Sequence, residues 1–181
     1  MKVLIAGPRA LSKLNDDVKN RINTITDKQH EIFVGDANGI DKAVQKFLFE
    51  NKYTNVSVYA SNGKARNNIG NWPVVNVDVD SKVKGFDFYV AKDIKMIEDA
   101  DHGFIIWNGE SKGSLNNIIN LVNKNKKVLL YYTPDKNFYT IDNIDMVEKI
   151  ACKTNDITKA IFHELYRKLY SNNNEQLAMF S

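Results

Sequence analysis

The sequence contains very little cysteine, histidine and proline. Cys152 is the one cysteine among 181 residues, which excludes a disulfide framework and a thiolate zinc site within the chain. The three histidines are scattered through the sequence and do not have the spacing of metal ligands. With three prolines, most of the chain is free to form regular helices and strands. The composition therefore indicates neither a metal site nor another cofactor.

Long hydrophobic runs and a strong charge of one sign are also missing. No window approaches the roughly 20 apolar residues of a membrane span, and the apolar run before Gly7 is too short for a secretory signal. We therefore predict a cytoplasmic protein that does not enter a membrane. The net charge is +3, from 25 basic and 22 acidic residues spread along the chain. This mild charge does not favour binding to nucleic acid.

Five short apolar runs alternate with segments of helical periodicity. The runs lie at residues 2–6, 31–35, 56–60, 103–107 and 126–132. Continuous apolar runs are typical of strands that are covered on both faces, so the alternation predicts a parallel sheet with helices on both sides. Residues 61–85 lack this periodicity, and we interpret them as a long excursion with one short strand at PVVNV (73–77), either a binding loop or a disordered segment.

The pattern changes in the last quarter of the chain. Residues 133–141 have the composition of a short strand or an extended arm, and residues 154–170 carry apolar side chains at helical spacing. We predict that residues 1–132 form one domain and that residues 133–181 form an extension with one helix. That helix would pack on the same domain or on a partner subunit, and the second arrangement would make a homodimer.

Three glycine-containing turns follow the first, second and fourth predicted strands. They read AGPRALS at residues 6–12, GDANGID at 35–41 and NGESKGS at 108–114. Glycine lets a backbone approach a phosphate closely, and the free N–H groups of a following helix stabilise an anion. Each turn taken alone fits ordinary strand–helix connection chemistry. Parallel strands bring all three turns to the same edge of the sheet, however, which predicts an anion-binding site there.

These segments resemble the SLOG superfamily, and its YspA-like branch in particular. The resemblance is carried by VLIAGPR, by IFVGDANGIDKAV and by ADHGFIIWNGESKGSLNNI, which occur in the family's order within residues 1–132. It implies a Rossmann-like three-layer sandwich, here with a five-stranded and mainly parallel sheet plus a C-terminal helix. It also implies a nucleotide or nucleotide-derived ligand bound across the turns. The superfamily includes both ligand sensors and enzymes, so the resemblance does not choose between these roles.

The ligand-binding residues implied by the resemblance lie in all three turns. They are Gly7 and Arg9 in the first, Gly35, Gly39 and Asp41 in the second, and Trp107, Gly109, Ser111, Gly113 and Ser114 in the third. Residue chemistry adds Lys112 as a mobile charge and Asn116 as a partner for a ribose hydroxyl. Arg66, from the excursion, would meet a phosphate. Trp72 of the same excursion would either stack on a base or pack on the sheet edge.

The resemblance has two departures that bear on chemistry. Relatives commonly carry an Arg-Asn pair in the helix before the fourth strand, where this chain has Lys92 and Asp93, so the charge partner of a ligand would differ. Related N-glycosidases place an acidic residue at the start of the helix near the ribose, where this chain has Asn116 and Asn117. An amide cannot act as a nucleophile or a general base.

The sequence therefore leaves three functions open. The leading hypothesis is binding of a nucleotide-derived ligand, with a sensor as one form of it. The first alternative is a nucleotide N-glycosidase or phosphoribohydrolase, whose catalytic acid would have to be Asp36, Asp41, Asp93 or Glu110. The second alternative is a single-stranded DNA-binding module. The mild charge and the lack of a basic patch interleaved with aromatic residues argue against DNA binding.

Overall fold

The computed structural model describes residues 1–178, without the side chains of residues 170 and 172–178, and shows an α/β fold. The strands are β1 (Lys2–Ala6), β2 (Glu31–Gly35), β3 (Val56–Ser61), β4 (Val74–Val77), β5 (His102–Trp107), β6 (Val128–Tyr132) and β7 (Asn137–Ile141). The helices are α1 (Asp16–Asp27), α2 (Ile40–Glu50), α3 (Phe86–Asp99), α4 (Lys112–Asn123), α5 (Ile144–Ala151) and α6 (Asp156–Ala178). Within these described residues, no helix combines the length and the hydrophobicity that crossing a membrane requires.

All seven strands form one sheet in the order β4-β3-β2-β1-β5-β6-β7. The strands pair in parallel except β7, which runs antiparallel to β6. The chain moves outward from β1 to β4 and then returns to place β5 beside β1 on the other side. The strand order therefore reverses between β1 and β5, the point at which open α/β sheets leave a crevice for ligands.

The predicted number of five strands is wrong, because β4 and β7 extend the sheet at its two edges. Both edge strands carry partly exposed residues, as with Val74 in β4 and Asn137 in β7. An edge strand is not covered along its full length, so it lacks the continuous apolar run that marks a central strand. This is why the sequence reveals the five inner strands more clearly than the two outer ones.

Helices cover both faces of the sheet, and each face has its own hydrophobic core. Consecutive residues of β1 supply the two cores: Leu4 packs with α3 and α4, and Ile5 packs with α1 and α2. Both side chains are fully buried. Burying a leucine or isoleucine side chain stabilises a fold by about 1.5–3 kcal/mol, so the continuous apolar runs hold the two layers of helices against the sheet.

The last part of the chain adds β7 and two helices, whereas one helix is expected from the sequence. The additional helix, α5, begins after Asn143, whose side chain accepts a hydrogen bond from the Met146 amide at 3.0 Å. Helix α6 packs through Phe162 and Leu165 on the same core as α4. The Thr158 hydroxyl of α6 also donates to the Gly109 carbonyl at 2.8 Å, which ties α6 to the turn after β5.

Candidate binding site at the carboxyl ends of the strands

A cavity of about 460 Å³ lies at the carboxyl ends of β1 and β5, where the strand order reverses. Its walls come from the turn after β1, the turn after β5 and the amino-terminal part of α3, with Ala37 and Asp41 added from the turn after β2 and the start of α2. Small-molecule sites commonly measure about 300–1,000 Å³, so the cavity is large enough for a ligand of that class.

The structure brings about half of the predicted ligand-binding residues together in this cavity. Those that line it are Gly7, Arg9, Asp41, Ser111, Lys112, Gly113 and Ser114. Among the predicted catalytic candidates, Asp41, Asp93 and Glu110 also line it, and Asp36 does not. The predicted residues that lie outside it are Gly35, Gly39, Arg66, Trp107, Gly109 and Asn116.

The turn after β5 is built to present the first amides of α4. Asn108 closes the turn, because its side-chain oxygen accepts the amides of Ser111 at 3.0 Å and Glu110 at 3.2 Å. The Ser111 hydroxyl then caps the helix by accepting the Ser114 amide at 3.3 Å. The amides of Lys112 and Gly113 belong to the first helical turn, where an N–H has no acceptor within the helix. They can therefore receive an anion at the positive end of the helix dipole.

Gly113 faces empty space in this turn. A Cβ atom added there would meet no atom within 4 Å, and Gly113 lines the cavity. The glycine is therefore not required by packing inside the protein. Its small size instead leaves room for a ligand beside the first turn of α4.

Asn117 is a buried polar side chain in the same wall. It lies one turn further along α4, lines the cavity and is 4% exposed. Its side-chain oxygen has no hydrogen-bond partner within the described part of the chain. Buried polar atoms are nearly always paired, so an unpaired oxygen on a residue of the cavity wall is unusual. In sequence, Asn117 stands out only as an amide at a position where related N-glycosidases have an acidic residue, which does not predict that it binds a ligand.

The turn after β2 is filled by the protein's own side chains. Asp36 is buried, and Arg66 donates to it from Nε at 2.9 Å, from a terminal nitrogen at 2.6 Å and from its amide at 3.1 Å. Burial alone would raise the pKa of Asp36, but the hydrogen bonds from Arg66 more than offset it and lower that pKa. Asp36 is therefore ionised near neutral pH, and Arg66 pairs with a carboxylate of the protein instead of facing the cavity.

A buried lysine lies between the turn after β2 and the cavity. Lys92 is 4% exposed and donates to Asp93 at 2.7 Å. Burial by itself lowers the pKa of Lys92, but the neighbouring carboxylates of Asp93, Asp41 and Asp36 raise it overall. Lys92 is therefore a permanent positive charge in the cavity wall. No pattern in the sequence identifies Lys92 as a cavity residue; it stands out only as the position where the resemblance leads one to expect an Arg-Asn pair.

Asp41 is the carboxyl group of the cavity with the largest perturbation of its acidity. Burial raises the pKa of Asp41 to about 7, although the nearby charge of Lys92 acts in the opposite direction. Its carboxylate accepts the Ala37 amide at 3.3 Å. A carboxyl group with a pKa near neutral can hold a proton or release it under ordinary conditions, as a general acid or base must.

The glycines of the first two turns serve internal packing. A Cβ on Gly7 would lie 2.8 Å from Ile40, and one on Gly39 would lie 2.5 Å from the backbone of Arg9. The Ile40 amide also donates to the Pro8 carbonyl at 3.2 Å. These two turns therefore pack directly on each other, and the start of α2 is occupied by a protein carbonyl.

Exposed aromatic rings at the start of α3 form the remaining wall. Phe86 and Tyr89 are 36% and 38% exposed, and both line the cavity. The Arg9 guanidinium lies 4.3 Å from the centre of the Tyr89 ring, and the Lys112 ammonium lies 4.9 Å from that of Phe86. Each ring thus holds a cation over its face by cation–π attraction. Sequence reasoning missed both rings, because their position in the cavity depends on how α3 packs.

The two tryptophans are part of the protein interior. Trp107 is 1% exposed, and its indole donates to the Ser111 carbonyl at 3.1 Å, which helps to hold the turn after β5. Trp72 is 7% exposed and donates to the Tyr53 carbonyl at 3.1 Å. Of the two arrangements predicted for Trp72, the structure has the one in which it packs on the protein.

Comparison with known proteins does not assign this cavity. No protein-family model matches the chain, and no curated protein matches it significantly. The case for a function therefore rests on the geometry and charge of the cavity.

Proposed function

We propose that the protein binds a nucleotide or nucleotide-derived ligand in the cavity at the carboxyl ends of β1 and β5. The observation that carries the proposal is the wall formed by α4. It combines the open space at Gly113 with the buried, unpaired side chain of Asn117 in one cavity at the reversal of strand order. The Rossmann-like arrangement of the sheet and the resemblance to the SLOG superfamily support the same reading.

The walls of the cavity match the parts of a nucleotide. A phosphate would bind at the amides of Lys112 and Gly113, with the charges of Lys112 and Arg9 beside it. A ribose hydroxyl would lie beside the amide of Asn117. The base would lie along the aromatic wall of Phe86 and Tyr89, beside the cations that lie over these rings. Every contact in this arrangement uses a residue that lines the cavity.

A titration tests the proposal. The midpoint of thermal unfolding, Tm, is measured with a panel of nucleoside monophosphates, diphosphates and dinucleotides, and positive cases are repeated by calorimetry. A ligand at 100 times its Kd stabilises the folded state by about 2.7 kcal/mol, which is readily measured. If no member of the panel raises Tm, the proposal is contradicted.

Two arginine variants localise any binding that is found. Arg9→Ala removes a cation of the cavity and is expected to weaken nucleotide binding severalfold. Arg167→Ala removes an exposed arginine of α6 whose Nε donates to the His163 carbonyl of its own helix, so it should leave binding unchanged. An equal effect of the two variants would mean that net charge, rather than this cavity, controls the affinity.

Asp41 favours an N-glycosidase or phosphoribohydrolase as a second candidate function. It is a buried carboxyl group of the cavity with a pKa near 7, as a group that protonates a leaving base requires. Chromatography of nucleotide incubations detects a released base. Under this candidate, Asp41→Asn abolishes release, whereas Asp16→Asn on the exposed start of α1 does not. Release that survives Asp41→Asn would exclude Asp41 as the acid.

A further inference from the structure

A second cavity, of about 230 Å³, lies at the other end of the strands, where their amino ends are. It is formed by the amino ends of β1, β5 and β6 and by the second half of α1. Strands of five or six residues separate it from the first cavity, and at about 3.3 Å per residue this distance is roughly 17–20 Å. A ligand in one cavity therefore cannot reach the other.

The titratable side chains that line this second cavity are all basic. They are Arg21, Lys28, Lys127, His30 and His102, and among the described lining residues there is neither aspartate nor glutamate. The first cavity, in contrast, is lined by three basic and three acidic side chains. Asp101 precedes β5 in sequence, but it accepts the Lys2 amide at 2.7 Å and does not line the cavity. The basic groups thus concentrate here in a chain of nearly balanced charge.

The opposite wall of the second cavity is apolar. Its surface is supplied by Val3, Ile25 and the half-buried Leu129, and Phe104 and Val128 of the lining are almost fully buried. Removing apolar surface of a ligand from water against such a wall is favourable by about 25 cal/mol per Å². A ligand with both a charged and an apolar part would therefore use the whole cavity.

Two of the basic residues that line this cavity are histidines, His30 and His102. The Nδ1 atom of His102 is buried and has no hydrogen-bond partner in the described chain. Partial burial lowers the pKa of His30, and nearby positive charges, including Lys28 and His102, lower it further. An anion in the cavity would counter the repulsion among these groups and could pair with the imidazole of His102.

We infer that this cavity is a second binding site, for small molecules that join a carboxylate or phosphate to a ring or short hydrocarbon chain. The basic rim binds the anionic group, and the apolar lining at Val3, Ile25 and Leu129 covers the apolar part. At about 230 Å³ the cavity is smaller than the usual range for drug-sized ligands, so the ligand is a small one. The inference does not depend on the function proposed for the first cavity.

Proton NMR of the imidazole Hε1 signals tests the inference, because the chain has only three histidines to resolve. The full chain is titrated at fixed pH with phenyl phosphate, with inorganic phosphate and with phenol. Phenyl phosphate is expected to shift the signals of His30 and His102 saturably and to leave His163, on α6, unchanged. Inorganic phosphate should shift the same two signals but bind about tenfold more weakly, because it lacks the ring.

Lysine variants separate this cavity from the effect of net charge. The double variant Lys28→Gln with Lys127→Gln should weaken phenyl phosphate binding about fivefold. Lys13→Gln with Lys149→Gln removes the same charge from exposed positions outside the cavity and should leave binding unchanged. The inference is overturned if all three histidines shift together, if phenol binds as well as phenyl phosphate, or if both double variants behave alike.

Discussion

The turns after β2 and β5 have similar sequences but different uses. Both leave a buried strand, contain two glycines and lead into a helix at the same edge of the sheet. The turn after β2 is occupied by the ion pair of Asp36 and Arg66 and by close backbone packing at Gly39. Both turns contribute residues to the cavity wall, but the turn after β5 has open space at Gly113. A glycine in such a turn therefore either packs closely against the protein, as Gly39 does, or leaves open space, as Gly113 does.

The open turn is nevertheless firmly held. Its outer side is fixed by α6, through the hydrogen bond from Thr158 to Gly109 and the ion pair of Lys112 with Glu164 at 3.0 Å. Its inner side is fixed by the bond from Trp107 to the Ser111 carbonyl. A preorganised group of amides binds an anion without first paying the entropy of ordering the turn.

The largest effect is expected at Gly39, in the filled turn. Gly39→Ala places a Cβ 2.5 Å from the backbone of Arg9, at a residue whose φ of +84° disfavours any side chain. Overpacking and backbone strain each cost about 1–3 kcal/mol, so the free energy of unfolding should fall by about 3 kcal/mol or more. Urea-induced unfolding measures this loss.

Gly63→Ala is the matched control for that variant. Gly63 also has a positive φ, of +118°, but a Cβ there would meet no atom within 4 Å. It should therefore show the backbone strain alone, about 1–3 kcal/mol. Equal losses at the two positions would mean that the contact between the first two turns contributes nothing.

An intermediate effect is expected from Arg66→Ala. It leaves the buried Asp36 carboxylate without its partner. Breaking a fully buried pair costs about 3–5 kcal/mol, and because the Arg66 side chain is 44% exposed we expect about 2 kcal/mol. Arg167→Ala should change the free energy of unfolding by less than about 0.5 kcal/mol.

The pH dependence of this loss gives a second check. The pKa of Asp36 is lowered in the folded protein, so its stabilising contribution is present above the unfolded pKa and is lost as the pH falls through the folded pKa. The difference between wild type and Arg66→Ala should therefore shrink in acid. A difference that persists unchanged in acid would assign the loss to packing of the arginine instead.

A smaller effect, of opposite sign, is expected from Asp41→Asn. Burial raises the pKa of Asp41 to about 7, so wild type loses this group's contribution to stability as the pH rises from about 4 to about 7. The amide cannot ionise, and Lys92 keeps Asp93 as its partner at 2.7 Å. As the pH rises from roughly 5 to 7, the free energy of unfolding of the variant should therefore increase by about 1–2 kcal/mol relative to that of wild type. If the free energies of unfolding of wild type and Asp41→Asn change with pH in the same way across that range, the raised pKa of Asp41 is contradicted.

The sequence predicts the inner part of the fold well because the inner strands are covered on both faces. The run ending in Trp107 and the helical spacing after Ser111 identify β5, α4 and the turn between them from adjacent residues. The edge strands β4 and β7 are harder to recognise, since partial exposure breaks their apolar pattern. Local sequence therefore identifies the central connections clearly, whereas the two edge strands, at positions where the sequence allows a short strand, are not counted in the predicted five-stranded sheet.

The site is less predictable than the fold because much of it depends on contacts between distant residues. Asp36 and Arg66 are 30 positions apart, and nothing in either segment indicates that they pair. Lys92 and Tyr89 reach the cavity because of how α3 packs on the sheet. Trp107 is implied as a ligand contact by resemblance, yet its ring lies in the core. Motifs thus identify turns, while packing decides which side chains face the cavity.

The smallest effect on stability is expected at Gly113, in the open turn. Gly113→Ala adds a methyl group that meets no atom within 4 Å, at the start of a helix where alanine is favoured over glycine. The free energy of unfolding should rise by about 0.5 kcal/mol, whereas nucleotide affinity should fall severalfold because the methyl group occupies the space beside the amide. Asn123→Ala, at the exposed far end of the same helix, should give a similar stability gain with unchanged affinity. If Gly113→Ala binds nucleotide as wild type does, the open space at this turn is not the phosphate site, and its glycine has no more role in binding than those of the filled turn.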